Sequence, residues 1–403
     1  MIPFGKMAKA DHLQSWSDLP TELAGLVLCR LPAYSDRVRF GCVCRNWSFS
    51  LSSTQHCLPK PLPCLAFPDG TFFCLPHRES YQFPSTVSYH SSCGEWLVFL
   101  HDGNCFVKNP FSKITLTLPN LSSLCPIDEP VEIINGRVNP EDEMPQEPLN
   151  MDAGMAIDKV IVCSELLIAA IVDIGPLKTV ALCRPGAESW LVSRLGSKGI
   201  IIEMMLSEGK LYALNQSKDL LVIIVGDNDN GKLNISRIER LIENRSFGYR
   251  FIRYGVSLID HFLVECNGAL LLLSRTIFGK LSDGGCGLTE PVGVKFDVFK
   301  ADFHLSRWED VTSVGDEWAL FVSKSHSRSV SVSQYNKLKG NCISFLDDGR
   351  DWAMTSVDDE GWFWKSQASS YIVYDMSDGE TYSPIPDGSF KGKKAPATWL
   401  FPH

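Results

Sequence analysis

The feature that most restricts this chain is a recurring strand–turn–strand unit. Phe262–Cys266, Asn267-Gly268 and Ala269–Ser274 give the plainest case: apolar run, tight turn, apolar run. Asn-Gly supplies the two positive-φ residues that a two-residue turn between twisted strands requires. Glu95–Leu100 and Cys105–Lys108 flank His101-Asp102-Gly103-Asn104 in the same way, and Lys210–Leu214 and Leu220–Val225 flank Asn215–Asp219. Runs at Ile114–Leu118, Leu166–Val172, Thr179–Cys183, Trp190–Arg194, Val292–Lys300, Trp308–Val311, Ala319–Ser323, Cys342–Leu346 and Tyr371–Asp375 continue the series. Strong helical periodicity is absent from them. Many short strands at near-regular spacing predict a sandwich, a barrel or a propeller. A region from Gly70 to the end of a 403-residue chain is too long for one sandwich. At about 40–50 residues per four-stranded blade, it predicts about six to eight propeller blades. GEWLVFL at Gly94–Leu100 is similar to DEWALFV at Asp316–Val322, as internal repetition would require.

Trp16–Ser53 (WSDLPTELAGLVLCRLPAYSDRVRFGCVCRNWSFSLSS) reads differently. Leu19-Pro20 opens a first helix, with Asp18 placed as an N-cap carboxylate. Pro20 is tolerated there because the first helical turn has no donor partners to lose. Glu22 suits the positive end of the helix dipole. Leu23, Leu26 and Val27 fall on one apolar face. Leu31-Pro32 ends the helix, since the residue before proline is pushed out of the α region. Ser35 or Asp36 can cap a second helix carrying Val38 and Cys42. A third, with Val43 and Trp47, runs through Ser50. Gly41 falls inside the second helix, where it costs about 1 kcal/mol relative to Ala.

This stretch resembles the F-box, the small three-helix module that recruits proteins into cullin–RING ubiquitin ligases. Leu19, Pro20, Glu22 and Leu23 stand for the family's Leu-Pro-x-Glu-Leu. Leu28, Leu31 and Pro32 stand for its Ile/Leu-x-x-Leu-Pro, and Asp36, Arg39, Val43, Cys44, Arg45 and Trp47 for its closing Asp…Arg-x-x-x-Val-Cys-Arg-x-Trp. The resemblance implies that Leu19, Pro20, Leu23, Leu28, Leu31, Pro32, Val43 and Trp47 bind a Skp-type linker protein and, through it, a cullin. So small a helical unit cannot hide every large side chain. Exposed Leu19, Pro20, Leu23, Leu28 and Leu31 are expected to form the docking patch, with Trp47 either in the core or in contact.

Cys57–Asp69 (CLPKPLPCLAFPD) carries four prolines, which favour an extended, stiff connector. Cys125–Asn150 sets Asp128, Glu129, Glu132, Glu141, Asp142, Glu143 and Glu147 against Arg137 alone. That composition predicts an exposed acidic loop. The expected plan is mainly β: a three-helix domain over 14–54, a Pro-rich linker over 55–69, and a large all-β propeller over 70–403 with the loop at 125–150. The C-terminal part is also similar to a plant F-box family, the KIB-type proteins catalogued as domain of unknown function two-nine-five. The segments that carry this are Ser91–Leu118, Leu182–Trp190, Glu208–Leu214, Phe262–Arg275, Phe296–Leu320, Asn336–Asp347 and Tyr371–Glu380. The family implies a substrate-receptor propeller that binds an unidentified protein substrate.

Other function classes find no support in the residues. The net charge of −9 and pI near 5.5 argue against a nucleic-acid partner. MIPFGKMAKADHLQ lacks the apolar core of a signal peptide. No apolar run reaches the about 18 residues of a membrane span; Val160–Ile174 is broken by Ser164, Glu165 and Asp173. The expected location is the nucleus and/or cytoplasm. The 14 cysteines are scattered, which predicts reduced thiols rather than a disulfide framework. Cys42 and Cys44 have the wrong spacing for zinc, and no cofactor or metal is expected. GDNDNGKL at Gly226–Leu233 imitates a phosphate loop but has Leu233 where Ser or Thr should hold Mg²⁺; a hairpin turn is expected. His261 and His304 border strands and read as structural. No Gly-x-Ser-x-Gly occurs. The chain is expected to be a non-catalytic substrate adaptor of a Skp–cullin–F-box ligase. The alternatives are a scaffold that never joins a cullin, or an enzyme using the propeller channel.

Overall fold

The computed structural model describes residues 15–75, 79–82, 89–127, 133–134, 137–138, 155–175, 177–194, 199–228, 231–244, 257–281, 288–333, 335, 338–347, 370–384 and 397–402. Helices α1 (Thr21–Cys29), α2 (Tyr34–Gly41) and α3 (Arg45–Thr54) come first. Six sheets follow and form the six blades of a propeller.

Blade one holds Cys64–Ala66, Thr71–Cys74 and Glu79–Gln82; its first place belongs to Thr398–Leu400 from the far end of the chain. Cys64 pairs with Leu400, Leu65 with Trp399 and Ala66 with Thr398, antiparallel. Blade two is Ser91–Cys93, Trp96–His101, Asn104–Lys108 and Thr115–Leu118. Blade three is Ala156–Ser164, Leu167–Ile174, Leu177–Cys183 and Trp190–Val192; blade four is Ile201–Ser207, Lys210–Asn215, Leu220–Asp227 and Leu233–Ile242. Blade five is Ser257–Cys266, Ala269–Leu281, Leu288–Asp302 and Arg307–Val311. Blade six runs Arg328–Ser331, Trp318–Val322, Cys342–Asp347, Ser370–Asp375, Thr381–Tyr382, with Trp318–Val322 parallel to Cys342–Asp347.

The turns behave as their residues dictate. Asn267 and Gly268 have φ of 50° and 71°, the double positive-φ turn expected of Asn-Gly. Gly226–Leu233 joins two strands of blade four: Asn228 N–H donates to Lys232 O and Gly231 N–H to Asn228 O. A phosphate loop would need a helix there.

Six apolar clusters fill the gaps between neighbouring blades. Ala169, Leu182, Leu211 and Ile223 join blades three and four. Leu65, Phe321, Tyr371 and Trp399 join blades six and one, which closes the ring. Both faces of a central strand are therefore buried. That is why Leu167–Ile174 reads as a continuous apolar run instead of alternating.

Two expectations are corrected. The segment 55–69 is not a connector throughout: Pro61–Phe67 is buried, and Cys64–Ala66 is already a strand of blade one. Pro59, Pro61 and Pro63 lie before the strand and Pro68 in the turn after it, where no ladder hydrogen bond is lost. The acidic stretch 125–150 is not simply a loop. Leu124–Pro126 adds in parallel to Trp190–Val192 of blade three. Ile133–Ile134 adds in parallel to Leu233–Ile242 of blade four, and Arg137–Val138 pairs with it. The open outer edges of these blades offer unpaired backbone groups to any extended segment that can reach them. Positions 128–132, 135–136 and 139–150, which hold all seven acidic side chains, lie outside the described residues.

Candidate functional site

The helical module is built on a small core. Ala24, Leu28 and Phe40 are buried, with Leu19, Leu31, Trp47, Leu51 and Leu58 partly buried around them. Phe40 and Trp47 stack at 4.3 Å between ring centroids. The indole N–H of Trp47 donates to Trp16 O at 2.9 Å, and Asn46 Nδ2 donates to Ser17 O at 2.9 Å. These bonds tie α3 to the 3-10 turn Trp16–Asp18. Gly41 ends α2, and a Cβ on it would lie 2.9 Å from Leu51 Cδ2. Its missing side chain lets α2 approach α3, so it serves the fold rather than merely loosening a helix.

The caps differ from expectation. Asp18 closes the 3-10 turn, which Ser15 caps, and Pro20 holds the N-cap of α1 without a side-chain bond. Ala33 precedes α2; Ser35 and Asp36 lie in its first turn, where Asp36 pairs with Arg39 at 3.4 Å. Val43 sits between α2 and α3, outside both.

Of the eight residues expected to bind a linker, the structure exposes Pro20, Leu23 and Val43 and half-buries Leu19, Leu31, Pro32 and Trp47. Leu28 is fully buried and cannot touch a partner. The reason is helical phase: Ala24 and Leu28 face inward, so Leu23, Leu26 and Val27 face out, at 49%, 62% and 43% exposure. Trp16, Val38 and Phe49 are exposed as well. Seven of the fifteen exposed large apolar side chains among the described residues lie on this one small module. The exposure of Leu23 agrees with the sequence expectation; that Leu26 and Val27 join it in solvent while Leu28 turns inward was not expected.

The module is seated on the propeller. Leu62 N–H donates to Pro32 O at 2.8 Å. Tyr34 meets the edge of Phe111 of blade two at 4.7 Å, and the Arg39 guanidinium lies 5.7 Å over the Tyr81 ring of blade one. Tyr335 Oη donates to Lys60 O at 2.5 Å, so blade six grips the connecting segment.

A second candidate lies where the first strands of the blades converge. His90, Asp158, Phe262, Arg275, Ser325 and Thr398 help line a pocket there. Arg275 is buried, bonded to Asp260, and flanked by the rings of Phe262 and Phe345 at 5.8 and 5.6 Å. Lys324 Nζ is 3.9 Å from Asp260. Burial would raise the Asp260 carboxyl, but the Arg275 and Lys324 charges outweigh it and hold it below its ordinary range. Thr398 Oγ1 is 2.5 Å from Ser92 Oγ and 2.6 Å from Ser325 Oγ, joining blades one, two and six. Burial lowers His261 to about 4, with Lys218 adding to the shift, and its Nδ1 is 3.0 Å from Ser274 Oγ. It is a neutral, bonded structural residue. Among the described residues no group of three or more His, Cys, Asp and Glu could hold a metal, and no helix is long and apolar enough to cross a membrane.

Three helices with an apolar outer side, seated on a six-bladed ring, define an F-box and β-propeller protein. Residues 16–55 match the F-box domain. The chain belongs to the KIB1-4 beta-propeller family, which it matches over residues 65–375. It is 24% identical over 356 residues to the Arabidopsis thaliana F-box protein At2g26160, covering 83% of this chain and 96% of that one. Solved structures are more distant. An S. cerevisiae Dbp5 structure bound to Nup159 and Gle1 superposes with TM-score 0.29 and 7% identity, covering 85% of this chain and 93% of that one. B. megaterium levansucrase gives TM-score 0.31 and 8% identity, covering 70% and 84%. Neither bears on function.

Proposed function

We propose that this protein is the substrate-recognition adaptor of a Skp–cullin–F-box ubiquitin ligase. The concentration of exposed apolar side chains on α1 and around α3 carries this reading. A patch of that kind marks an interface, and Leu23, Leu26 and Val27 supply the branched anchors such an interface uses. The linker would dock there and bring in the cullin; the propeller would hold a protein substrate. The chain itself contributes proximity, raising the effective concentration of substrate lysines near the charged ubiquitin carrier. Ubiquitin transfer would be done by other subunits.

Co-purification of the full chain with a Skp-type linker and a cullin tests this. Leu23→Asp with Leu26→Asp places two charges on exposed positions, so the fold should persist. Loss of two anchors worth about 2 kcal/mol each weakens binding by a hundredfold or more. Linker and cullin retained at wild-type levels would remove the module from this role. Linker retained without cullin by the wild type would make the protein a scaffold outside the ligase.

A further inference from the structure

The Sγ atoms of Cys64 and Cys74 lie 3.2 Å apart inside blade one. The two residues face each other in register across the first hairpin of the propeller. That hairpin closes with Phe67 N–H donating to Thr71 O and Gly70 N–H to Phe67 O, both at 2.9 Å. Hydrogen-bonded pairs alternate from there, so Cys64 and Cys74 occupy a non-hydrogen-bonded pair. In such pairs the Cα atoms are about 4.5 Å apart, within the span a disulfide bridges.

The two thiols differ. Cys74 is 6% exposed and Cys64 2%, so a small oxidant reaches Cys74 first. The hydrogen bond from Cys64 lowers the Cys74 pKa against the opposing effect of burial, and Ser35 of α2 lowers it further. The same bond and burial raise Cys64. Elsewhere burial works alone or dominates: it pushes Cys93 up to about 11 and Cys105 to about 12. Cys74 is thus the nucleophile and Cys64 its neighbour in waiting.

We propose that Cys64 and Cys74 are an oxidation site, forming a reversible disulfide when the protein meets hydrogen peroxide. The Cys74 thiolate attacks one peroxide oxygen, breaking the O–O bond and leaving Cys74 sulfenic acid and hydroxide, which takes up a proton to become water. The Cys64 sulfur then attacks the sulfenic sulfur, and the hydroxyl leaves with the Cys64 proton as a second water. In sum two thiols are oxidised by two electrons and one peroxide is reduced to two waters. A dithiol reductant reverses the bond by exchange. Its place gives it a consequence: Ser35 of the helical module faces Cys74, so drawing the Cys74 sulfur into a disulfide changes the group beneath the start of α2. The site does not depend on what the module binds.

The test uses the full chain, reduced, freed of reductant, exposed to hydrogen peroxide, alkylated under denaturing conditions and digested for mass spectrometry. The expected result is loss of two alkylatable thiols and a Cys64–Cys74 linked peptide, lighter by two hydrogens, that a dithiol restores. Cys42, Cys57 and Cys125 are exposed; replacing all three by Ser should leave the linked peptide unchanged. Cys64→Ala should leave Cys74 as a sulfenic acid trapped by a dimedone probe. Full alkylation of both Cys64 and Cys74 after peroxide, or probe labelling confined to the exposed cysteines, would overturn the proposal.

Discussion

Trp47 donates its indole N–H to the carbonyl oxygen of Trp16, 2.9 Å away, while its ring stacks on Phe40. One side chain thus serves the core and the N-terminal turn together. Trp47→Phe keeps an aromatic ring on Phe40 and loses the hydrogen bond, at a cost of about 1 kcal/mol. Hydrogen exchange at the amides of Trp16–Asp18 should accelerate while α2 stays protected. Unchanged exchange in that turn would show that the bond does not hold it.

Leu28 and Leu23 should separate stability from binding. Leu28→Ala empties a fully buried position and should destabilise the module by about 2–5 kcal/mol. Leu23→Ala should leave the melting temperature within about a degree and still weaken linker binding by tenfold or more. If Leu28→Ala melts like the wild type, the small core described above is not cooperative.

Trp399 should govern ring closure. It is fully buried, donates to Val322 O at 3.1 Å and meets Phe321 and Tyr371 edge-on at 5.2 Å. Trp399→Ala should cost about 3–5 kcal/mol and be read as a lower denaturation midpoint. A midpoint equal to wild type would mean that blade one holds without its C-terminal strand.

His261 should add a pH dependence of known sign. Its folded pKa is about 4, below the ordinary value of 6.5. The unfolded chain then binds more protons between those two pH values, so stability falls as pH drops through that window. The slope from this group reaches at most about 1.4 kcal/mol per pH unit. His261→Asn should flatten the pH–stability curve between pH 6.5 and 4 relative to wild type. Parallel curves for the two proteins would sink the assignment.

Limited proteolysis should spare Pro59–Pro63. Leu62 is bonded to Pro32 and Lys60 to Tyr335, and a protease needs several residues of free backbone. Early cleavage there would mean that the helices and propeller are joined loosely.

Local signals were legible in the sequence, and partners distant along the chain were not. Asn267-Gly268 announced its hairpin because a two-residue turn needs just those backbone angles. The F-box residues from Leu19 to Trp47 announced three helices by order and spacing. Cys64–Ala66 escaped notice because three residues among prolines carry no strand pattern; they are a strand only because Thr398–Leu400 and Thr71–Cys74 lie on either side. Leu28 and Leu23 looked alike as branched apolar residues of one helix. Which faces inward depends on where Phe40 and Leu51 come to rest, and that is tertiary. Arg275 gave no sign of its place between Phe262 and Phe345, since Phe345 lies in another blade.

Thr398–Leu400 pairs with Cys64–Ala66 on one side, and Phe401 N–H reaches Gly94 O of blade two on the other, at 2.8 Å. Ribosomes deliver the three helices first and this strand last among those described. For most of its synthesis the nascent polypeptide therefore carries finished helices beside an unclosed ring, its blade-one edge open to chaperones or to stray strands. A nonsense codon ahead of Thr398 makes that interval permanent: the product would still expose Leu23, Leu26 and Val27, yet its ring would lack the strand that closes blade one.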